Sequence, residues 1–454
     1  MAGIGFELRR LLATRTYAGL LSAYAYAGVI SSGPWVLSII GILVVGILSI
    51  GTKVADHQIV SFQMTVTYVT AASLIFSGTV QLAFTRYIAD RLYENHPESI
   101  LPSFNGMLLI VTMASAIVGM PVIFFLFPEQ SILYRLLLLS AFILMCAIWV
   151  SAVFLSGMKM YKQIIGLFAL GYTIVVMLSL LLREYGVEGL MMGFIIGHYV
   201  LLIGMIFLTY FHYQSDRLIS FDFFKPGAMF VSLMLAGLFY NSGIWADKIL
   251  FWYNVNLSQE VIGPLRRSII YDFPIFLSYL SLIPGMAVFL VRIETDFVEY
   301  YMEFYSNVRD GASLDAIEKS RNRMAMAARQ GLFDIAKLQA IVILAVIAIG
   351  AEILDWIGIS QSYLSLLQID VVSASMQVLL LGILNIMFYL DRRHMVVWVT
   401  LLFLISNIIF TMLSQSLGTA YYGYGYAFSL LLTVSVGLVL LNRHFNQLEY
   451  KTFM

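Results

Sequence analysis

Ten intervals of the chain contain no Asp, Glu, Lys or Arg: 16–52, 57–85, 99–128, 136–158, 163–182, 189–215, 226–246, 273–291, 371–390 and 394–442. A helix rising 1.5 Å per residue needs about 20 apolar residues to cross a hydrocarbon core of ~30 Å. Each interval therefore has the reach of a membrane crossing, and the last holds two helices split at Gly418-Thr-Ala-Tyr-Tyr-Gly-Tyr-Gly-Tyr426. One more helix, near 331–351, carries Asp334 and Lys337 at its start. The count is twelve spans, an all-α polytopic membrane protein.

Composition agrees. Of 454 residues, 61% are hydrophobic and 11% charged, against about 25% charged in an ordinary soluble domain. So few ionised groups, bunched between the apolar stretches, exclude a soluble enzyme, a disordered chain and a secreted disulfide scaffold. Net charge is zero, so no global field favours nucleic acid. The single cysteine, Cys146, excludes an internal disulfide framework and reads as a small apolar packer. The N-terminal stretch has neither the layout of a signal peptide nor a small-residue cleavage site, and the chain is expected to be uncleaved.

The interval 16–52 is too long for one perpendicular crossing, and Ser31-Ser-Gly-Pro-Trp35 lies inside it. Either it is one long helix kinked at Pro34, or it is a helical hairpin. Lys and Arg concentrate on the cytoplasmic side of membrane proteins. One bent helix segregates them 20 inside to 6 outside, a hairpin 17 to 9. The bent helix is the better segregation, and it puts both termini in the cytoplasm.

Two short patterns recur about 206 to 210 residues apart. Ser32-Gly33-Pro34-Trp35 returns as Ser242-Gly243-Ile244-Trp245, and Arg86-x-x-x-Asp90 returns as Arg292-x-x-x-Asp296. Repeats of this kind build many transporter folds. They predict two six-helix lobes, 16–215 and 216–442, flanked by an interfacial helix within 1–15 and a cytoplasmic tail at 443–454. Residues 3–12 place Ile4, Leu8, Leu11 and Leu12 on one face, as a helix lying on the inner leaflet would. A charged elbow, 292–337, joins the eighth and ninth spans; Ser313 is placed to cap a helix with Asp315 in its first turn. The elbow is either a solvated connection or a docking surface for a cytoplasmic enzyme.

Nucleotide hydrolysis has no support, since no G-x-x-x-x-G-K-[ST] loop is present. Six scattered histidines without metal-ligand spacing give a metal site none either, and no G-x-S-x-G elbow occurs. No cofactor and no catalytic residue is expected. Transport is what remains. Ionisable groups at membrane depth usually face a cavity or a partner, and the seventh span offers Asp247 and Lys248. Neighbours on a helix diverge by about 100°, so each is expected to seek a partner elsewhere. Arg266, Arg267 and Asp272 are nearest in sequence, and the five together form either a cavity lining or an outer interfacial ion-pair network. A tyrosine meets a sugar with both its ring and its phenol. Tyr24, Tyr26, Ser32 and Trp35 on the first span, Tyr240, Ser242 and Trp245 on the seventh, and Tyr271 on the eighth are therefore substrate-pathway candidates, against the alternative of an interfacial aromatic belt. Arg86, Asp90, Arg292 and Asp296 are candidates for a cytoplasmic gate.

The opening Met-Ala-Gly-Ile-Gly-Phe-Glu-Leu-Arg-Arg-Leu-Leu12, the Ser31–Trp35 break and Tyr240-Asn-Ser-Gly-Ile-Trp-Ala-Asp-Lys248 resemble the PelG family of bacterial inner-membrane exopolysaccharide transporters. The resemblance runs the length of the chain. It implies a flippase-like fold of the multidrug/oligosaccharidyl-lipid/polysaccharide (MOP) superfamily, with two six-helix lobes around a cavity. It further implies an N-acetylgalactosamine-rich polymer made by the cytoplasmic glycosyltransferase PelF, the membrane partners PelD and PelE, and a role in the biofilm matrix. Catalysis would then reside in the transferase. Two other functions stay open: an ion-coupled alternating-access flippase of lipid-linked oligosaccharide or small molecules, and a non-transporting scaffold for a biosynthetic complex.

Overall fold

The computed structural model describes residues 17–49, 56–158 and 160–448. The expected interfacial helix at 3–12 and the last residues of the tail, 449–454, lie outside the described residues. Helices follow one another along the chain: α1 Tyr17–Ser49, α2 Asp56–Tyr93, α3 Ile100–Leu126, α4 Ile132–Gly157, α5 Tyr161–Leu182, α6 Gly186–His212 and α7 Val231–Trp252. After a hairpin come α8 Ile269–Ser278, α9 Leu282–Val291, α10 Val298–Arg309, α11 Leu314–Ile357, α12 Leu364–Tyr389, α13 Arg393–Leu417 and α14 Tyr424–Asn446. Among the described residues, nine helical runs are long and apolar enough to cross a bilayer, ten when the pair bent at Pro34 is counted. One of these runs, Tyr161–His212, contains two of the twelve spans read from sequence, α5 and α6, joined by a single 3-10 turn at Arg183–Tyr185. Large apolar side chains such as Phe125 and Trp356 stand more than four-fifths exposed, which only a lipid solvent makes inexpensive.

Several local features follow from the residues that form them. Helix α1 carries Pro34 inside it and is sharply bent there. Ser313 caps α11, its Oγ accepting from the Ala316 N–H at 3.3 Å, with Asp315 in the first turn. That helix runs unbroken to a left-handed Gly358. The eighth span is less regular. Pro284, three residues into α9, has no N–H to return to the preceding turn, and a 3-10 turn at Tyr279–Ser281 separates α8 from α9. A π-helical turn, Arg292–Phe297, then leads into α10.

The connection after α7 forms an antiparallel hairpin that the sequence reading left out: β1 Gln259–Ile262 pairs with β2 Leu265–Arg267. Gly263 supplies the positive φ of 51° that the two-residue Gly-Pro turn demands.

Two compact units emerge. The first comprises Pro34–Trp245 and Phe251–Ser268; the second comprises the described residues of Met1–Gly33, Ala246–Leu250 and Ile269–Met454. The dividing points within α1 and α7 fall in, or at the end of, the two matched Ser-Gly-x-Trp motifs. In the first unit α5 packs on α6 through glycines at 189, 193 and 197, where a Cβ on Gly193 would collide with the backbone of Ser179. Small residues at every fourth position let two membrane helices approach this closely. At one end of the same unit Phe84, Phe104, Phe154 and Phe223 pack as a ring cluster, with Phe104 and Phe154 stacked at 4.6 Å.

Candidate functional site

The densest polar site lies in the second unit. Asp247 and Lys248, in the last turns of α7, are both fully buried. They do pair with each other: the Lys248 Nζ donates to both Asp247 carboxylate oxygens, at 3.1 and 3.2 Å. The expectation that adjacent residues could not meet considered only where the side chains leave the helix. The four-carbon lysine stem is long enough to bend the ammonium back to its neighbour.

A buried charge needs more than one partner to offset its lost hydration. The Tyr271 hydroxyl, from α8, donates to Asp247 Oδ2 at 2.6 Å. Asn407 Nδ2, from α13, reaches Asp247 Oδ1 at 3.3 Å, and its own Oδ1 accepts from Thr411 at 2.9 Å. The Lys248 ammonium lies over two rings, 4.7 Å from the centre of Tyr426 and 5.2 Å from that of Tyr279, an arrangement that attracts cations. Tyr426 is itself fixed by donating to Gln377 Oε1 at 2.9 Å.

Asp370, in the second turn of α12, is fully buried, and neither of its carboxylate oxygens has a hydrogen-bond partner among the described residues. It stands in the electrostatic field of Asp247 and Lys248. Gly423, at φ 84°, leaves room beside it: a Cβ there would come within 3.1 Å of Asp370 Oδ1. With both acids ionised the three charges sum to minus one; one proton makes them neutral.

Of the five residues expected to cluster, Asp247 and Lys248 thus find their partners in α8, α13 and α14. Asp272 sits half-buried in the first turn of α8. Arg266 and Arg267 belong to the hairpin of the first unit. There the Arg266 guanidinium donates to Glu260 at 2.6 Å and to Ser258 at 2.9 Å, while the Tyr68 hydroxyl donates to its carbonyl at 2.9 Å. The hairpin strands align Arg266 with Glu260 across the ladder, which gives the guanidinium a partner closer than any on the helices.

Among the aromatic candidates, Tyr271 joins the buried site. Tyr24, half-buried on α1, lies in the field of Arg292, Asp334 and Asp296. Tyr26 is half-buried, and Ser32 is buried with its hydroxyl 3.5 Å from that of Ser31. Trp35 lies within α1. In the first unit Trp245 packs beside Trp252, which stacks on Tyr68 at 4.4 Å; Tyr240 and Ser242 are half-buried on α7.

Both Arg-x-x-x-Asp pairs form. Arg86 meets Asp90 at 3.0 Å in the first unit and Arg292 meets Asp296 at 2.8 Å in the second, each one helical turn apart. Arg292 Nε also lies 2.9 Å from Asp334 Oδ2, an ion pair by distance at an angle short of a hydrogen bond. Surface pairs of the first kind contribute little. Arg86→Ala is accordingly expected to change unfolding free energy by less than ~0.5 kcal/mol. Arg292→Ala, which leaves two carboxylates facing each other, should cost roughly 1 kcal/mol. Differential scanning fluorimetry in detergent compares them; equal shifts would contradict the extra role of Asp334.

The comparisons with known proteins settle the class. The PelG family model, described as "Putative exopolysaccharide Exporter (EPS-E)", matches residues 1–453. The chain belongs to the PelG family. Among solved structures it resembles a multidrug resistance MATE family transporter of the MOP superfamily in an outward-facing conformation, at 13% identity and TM-score 0.65. That alignment covers 94% of this chain and 96% of the other. A MOP superfamily transporter from Pyrococcus furiosus aligns at 14% identity and TM-score 0.63, with the same two coverages. A MATE structure in a bent conformation gives 14% and 0.64, covering 95% of this chain and 96% of the other. None of the curated proteins compared with the chain matches it. This PelG member is therefore a multi-pass membrane protein with a flippase-like fold, and its family is one of exporters.

Sequence reasoning missed Asp370, Asn407, Thr411, Gln377 and Tyr426. For Asp370 a signal was present: it stands immediately before the charge-free interval 371–390 and was read as its boundary. Its helix begins at Leu364, so the acid lies inside.

Proposed function

We propose that this PelG member exports a Pel-type, N-acetylgalactosamine-rich exopolysaccharide across the bacterial inner membrane for the biofilm matrix. A PelF-like cytoplasmic glycosyltransferase supplies the chain, PelD- and PelE-like membrane proteins complete the assembly, both termini lie in the cytoplasm, and the protein itself performs no chemistry. The family match over residues 1–453 carries this reading, and a transporter fold supports it. The test is reconstitution in vesicles with the transferase and its UDP-sugar. Polymer protected from added glycosidase inside the vesicles is the expected result; polymer that stays fully accessible would overturn it.

A second reading, ion-coupled alternating access, is favoured by the Asp247–Lys248–Asp370 site. Its internal ammonium already occupies the aromatic cage, so the exchangeable charge is a proton on Asp370 rather than a metal ion. Asp370→Asn is then expected to abolish the dependence of transport on an imposed pH gradient, measured as substrate flux into vesicles. Since the change removes a buried unpaired carboxylate, the unfolding midpoint should stay level or rise. Flux that keeps its gradient dependence in the variant would remove this reading and leave export driven by elongation.

A further inference from the structure

A cavity of about 470 Å³ opens at one end of the first unit. It is lined by the last turns of α2, the 3-10 turn Pro97–Ser99 that leads into α3, and the segment 222–228 before α7. Three charge-free intervals, 57–85, 99–128 and 226–246, end or begin beside this lining. The cavity therefore sits where apolar spans give way to charge, at the level of lipid headgroups.

Its walls are held in place by the fold. Asn105 Nδ2 of α3 donates to the Leu218 carbonyl at 2.8 Å, and the Ser220 N–H donates to the Pro102 carbonyl at 3.0 Å. Gly106 lets that backbone pass, since a Cβ there would collide with the Ser220 carbonyl. Phe223 anchors the next turn, fully buried and edge-on to Phe84 and Tyr87 at 6.0 and 6.1 Å. Beyond it the Ala228 N–H donates to the Lys225 carbonyl at 3.0 Å, closing a tight turn with Gly227 at φ 82°.

The lining carries both signs of charge in equal number, Arg91 and Lys225 against Glu98 and Asp222. Lys225 meets Asp222 at 2.6 Å, His96 meets Glu98 at 3.0 Å, and Arg91 is paired with Glu94. These side chains are a third to three-quarters exposed. Ion pairs so open to water contribute little, and they can re-pair with a ligand at small cost. Glu94 meets each Nη of Arg91 once, at 2.9 and 3.1 Å, which leaves a second N–H on each. A neutral lining with separate cations and carboxylates selects neither a simple anion nor a simple cation. It matches a ligand that carries one charge of each sign.

We propose that this cavity holds the headgroup of a zwitterionic phospholipid, its phosphate on Arg91 and Lys225 and a primary ammonium on Asp222 and Glu98. The ammonium of ethanolamine brings three N–H donors for the carboxylates. A quaternary choline brings none and seeks open aromatic faces. Tyr87 offers no such face, being buried with the Arg91 guanidinium already over its ring at 5.5 Å. Tyr93 and Phe224, next to lining residues in sequence, are two-thirds or more exposed and give the acyl chains an apolar footing. Phosphatidylethanolamine is the lipid this combination selects, whatever the chain exports.

Native mass spectrometry of the full chain in detergent tests the site, by titration with phosphatidylethanolamine, phosphatidylcholine or phosphatidylglycerol. The first is expected to be retained roughly tenfold more tightly than either of the others. Lys225→Gln should weaken its binding by about tenfold. Asp222→Asn leaves the lining with a net positive charge and should turn the preference towards phosphatidylglycerol. If Asp222→Asn lowers the thermal midpoint, Glu98→Gln carries that arm with the same expected change. Equal retention of the three lipids, or a preference that no variant alters, would overturn the site. Preference of the unaltered chain for phosphatidylglycerol would overturn the zwitterionic assignment. Soluble glycerophosphoethanolamine is expected to compete only weakly; competition as strong as that of the lipid would overturn the assignment to a membrane ligand.

Discussion

Lys248→Met is expected to lower the unfolding free energy of the detergent-solubilised chain by about 3–5 kcal/mol, the usual cost of removing one member of a buried ion pair. The substitution keeps most of the stem volume and deletes only the ammonium. Asp247 then retains Tyr271 and Asn407 as neutral donors, while Asp370 stays without a hydrogen bond among the described residues. Two carboxylates would share a dry site with no cation, and one must take up a proton for the helices to stay packed. Replacing the acid as well, as Lys248→Met with Asp247→Leu, should recover part of the loss, because an apolar pair carries no desolvation penalty. Thermal unfolding of the single and double variants decides the matter. A single-variant loss below ~1 kcal/mol would mean that water screens the pair.

Gly193→Leu should be comparably damaging through geometry alone. A Cβ at this position would already meet Ser179 Oγ at 2.5 Å and Ser179 Cα at 2.6 Å. The Ser179 backbone is further tied by its hydroxyl, which donates to the Leu190 carbonyl at 3.0 Å. Helices α5 and α6 must therefore separate to admit any side chain, at a cost of roughly 3 kcal/mol or more for a leucine. Gly166 is the control, since a Cβ there meets nothing within 4 Å. Gly166→Ala should be neutral or slightly stabilising, because alanine is the better helix former. Equal effects at the two positions, read from thermal midpoints and monodispersity in detergent, would contradict the close approach of these helices.

What the sequence disclosed was mainly local. The Ser313 cap and the two Arg-x-x-x-Asp bridges each depend on residues within a turn or two, and spacing alone determines whether they meet. Apolar intervals disclosed the helices because lipid imposes the same requirement on every crossing. The site was harder, since it gathers α7, α8, α12, α13 and α14, and no periodicity records which spans adjoin. Counting charge-free stretches also treats every ionised residue as an edge, which concealed Asp370 inside α12. The direction in which a side chain leaves its helix misled for Lys248, whose flexible stem overrides it. The short hairpin at Gln259–Arg267 had only the Gly263-Pro264 turn to announce it.

Helix α11 has 44 residues, a length of about 66 Å at 1.5 Å each, twice what a ~30 Å hydrocarbon core requires. Its residues 314–337 carry eight of the elbow's fifteen charged residues, and Arg323 near that end is tied to Glu303 of α10 at 3.1 Å. Because no proline interrupts the rod between Leu314 and the apolar stretch, and its helix stays continuous through Gly331, it has no slack. A pull or twist delivered at the charged tip therefore arrives among the apolar turns as nearly the same displacement, so the two ends of this helix are mechanically one lever.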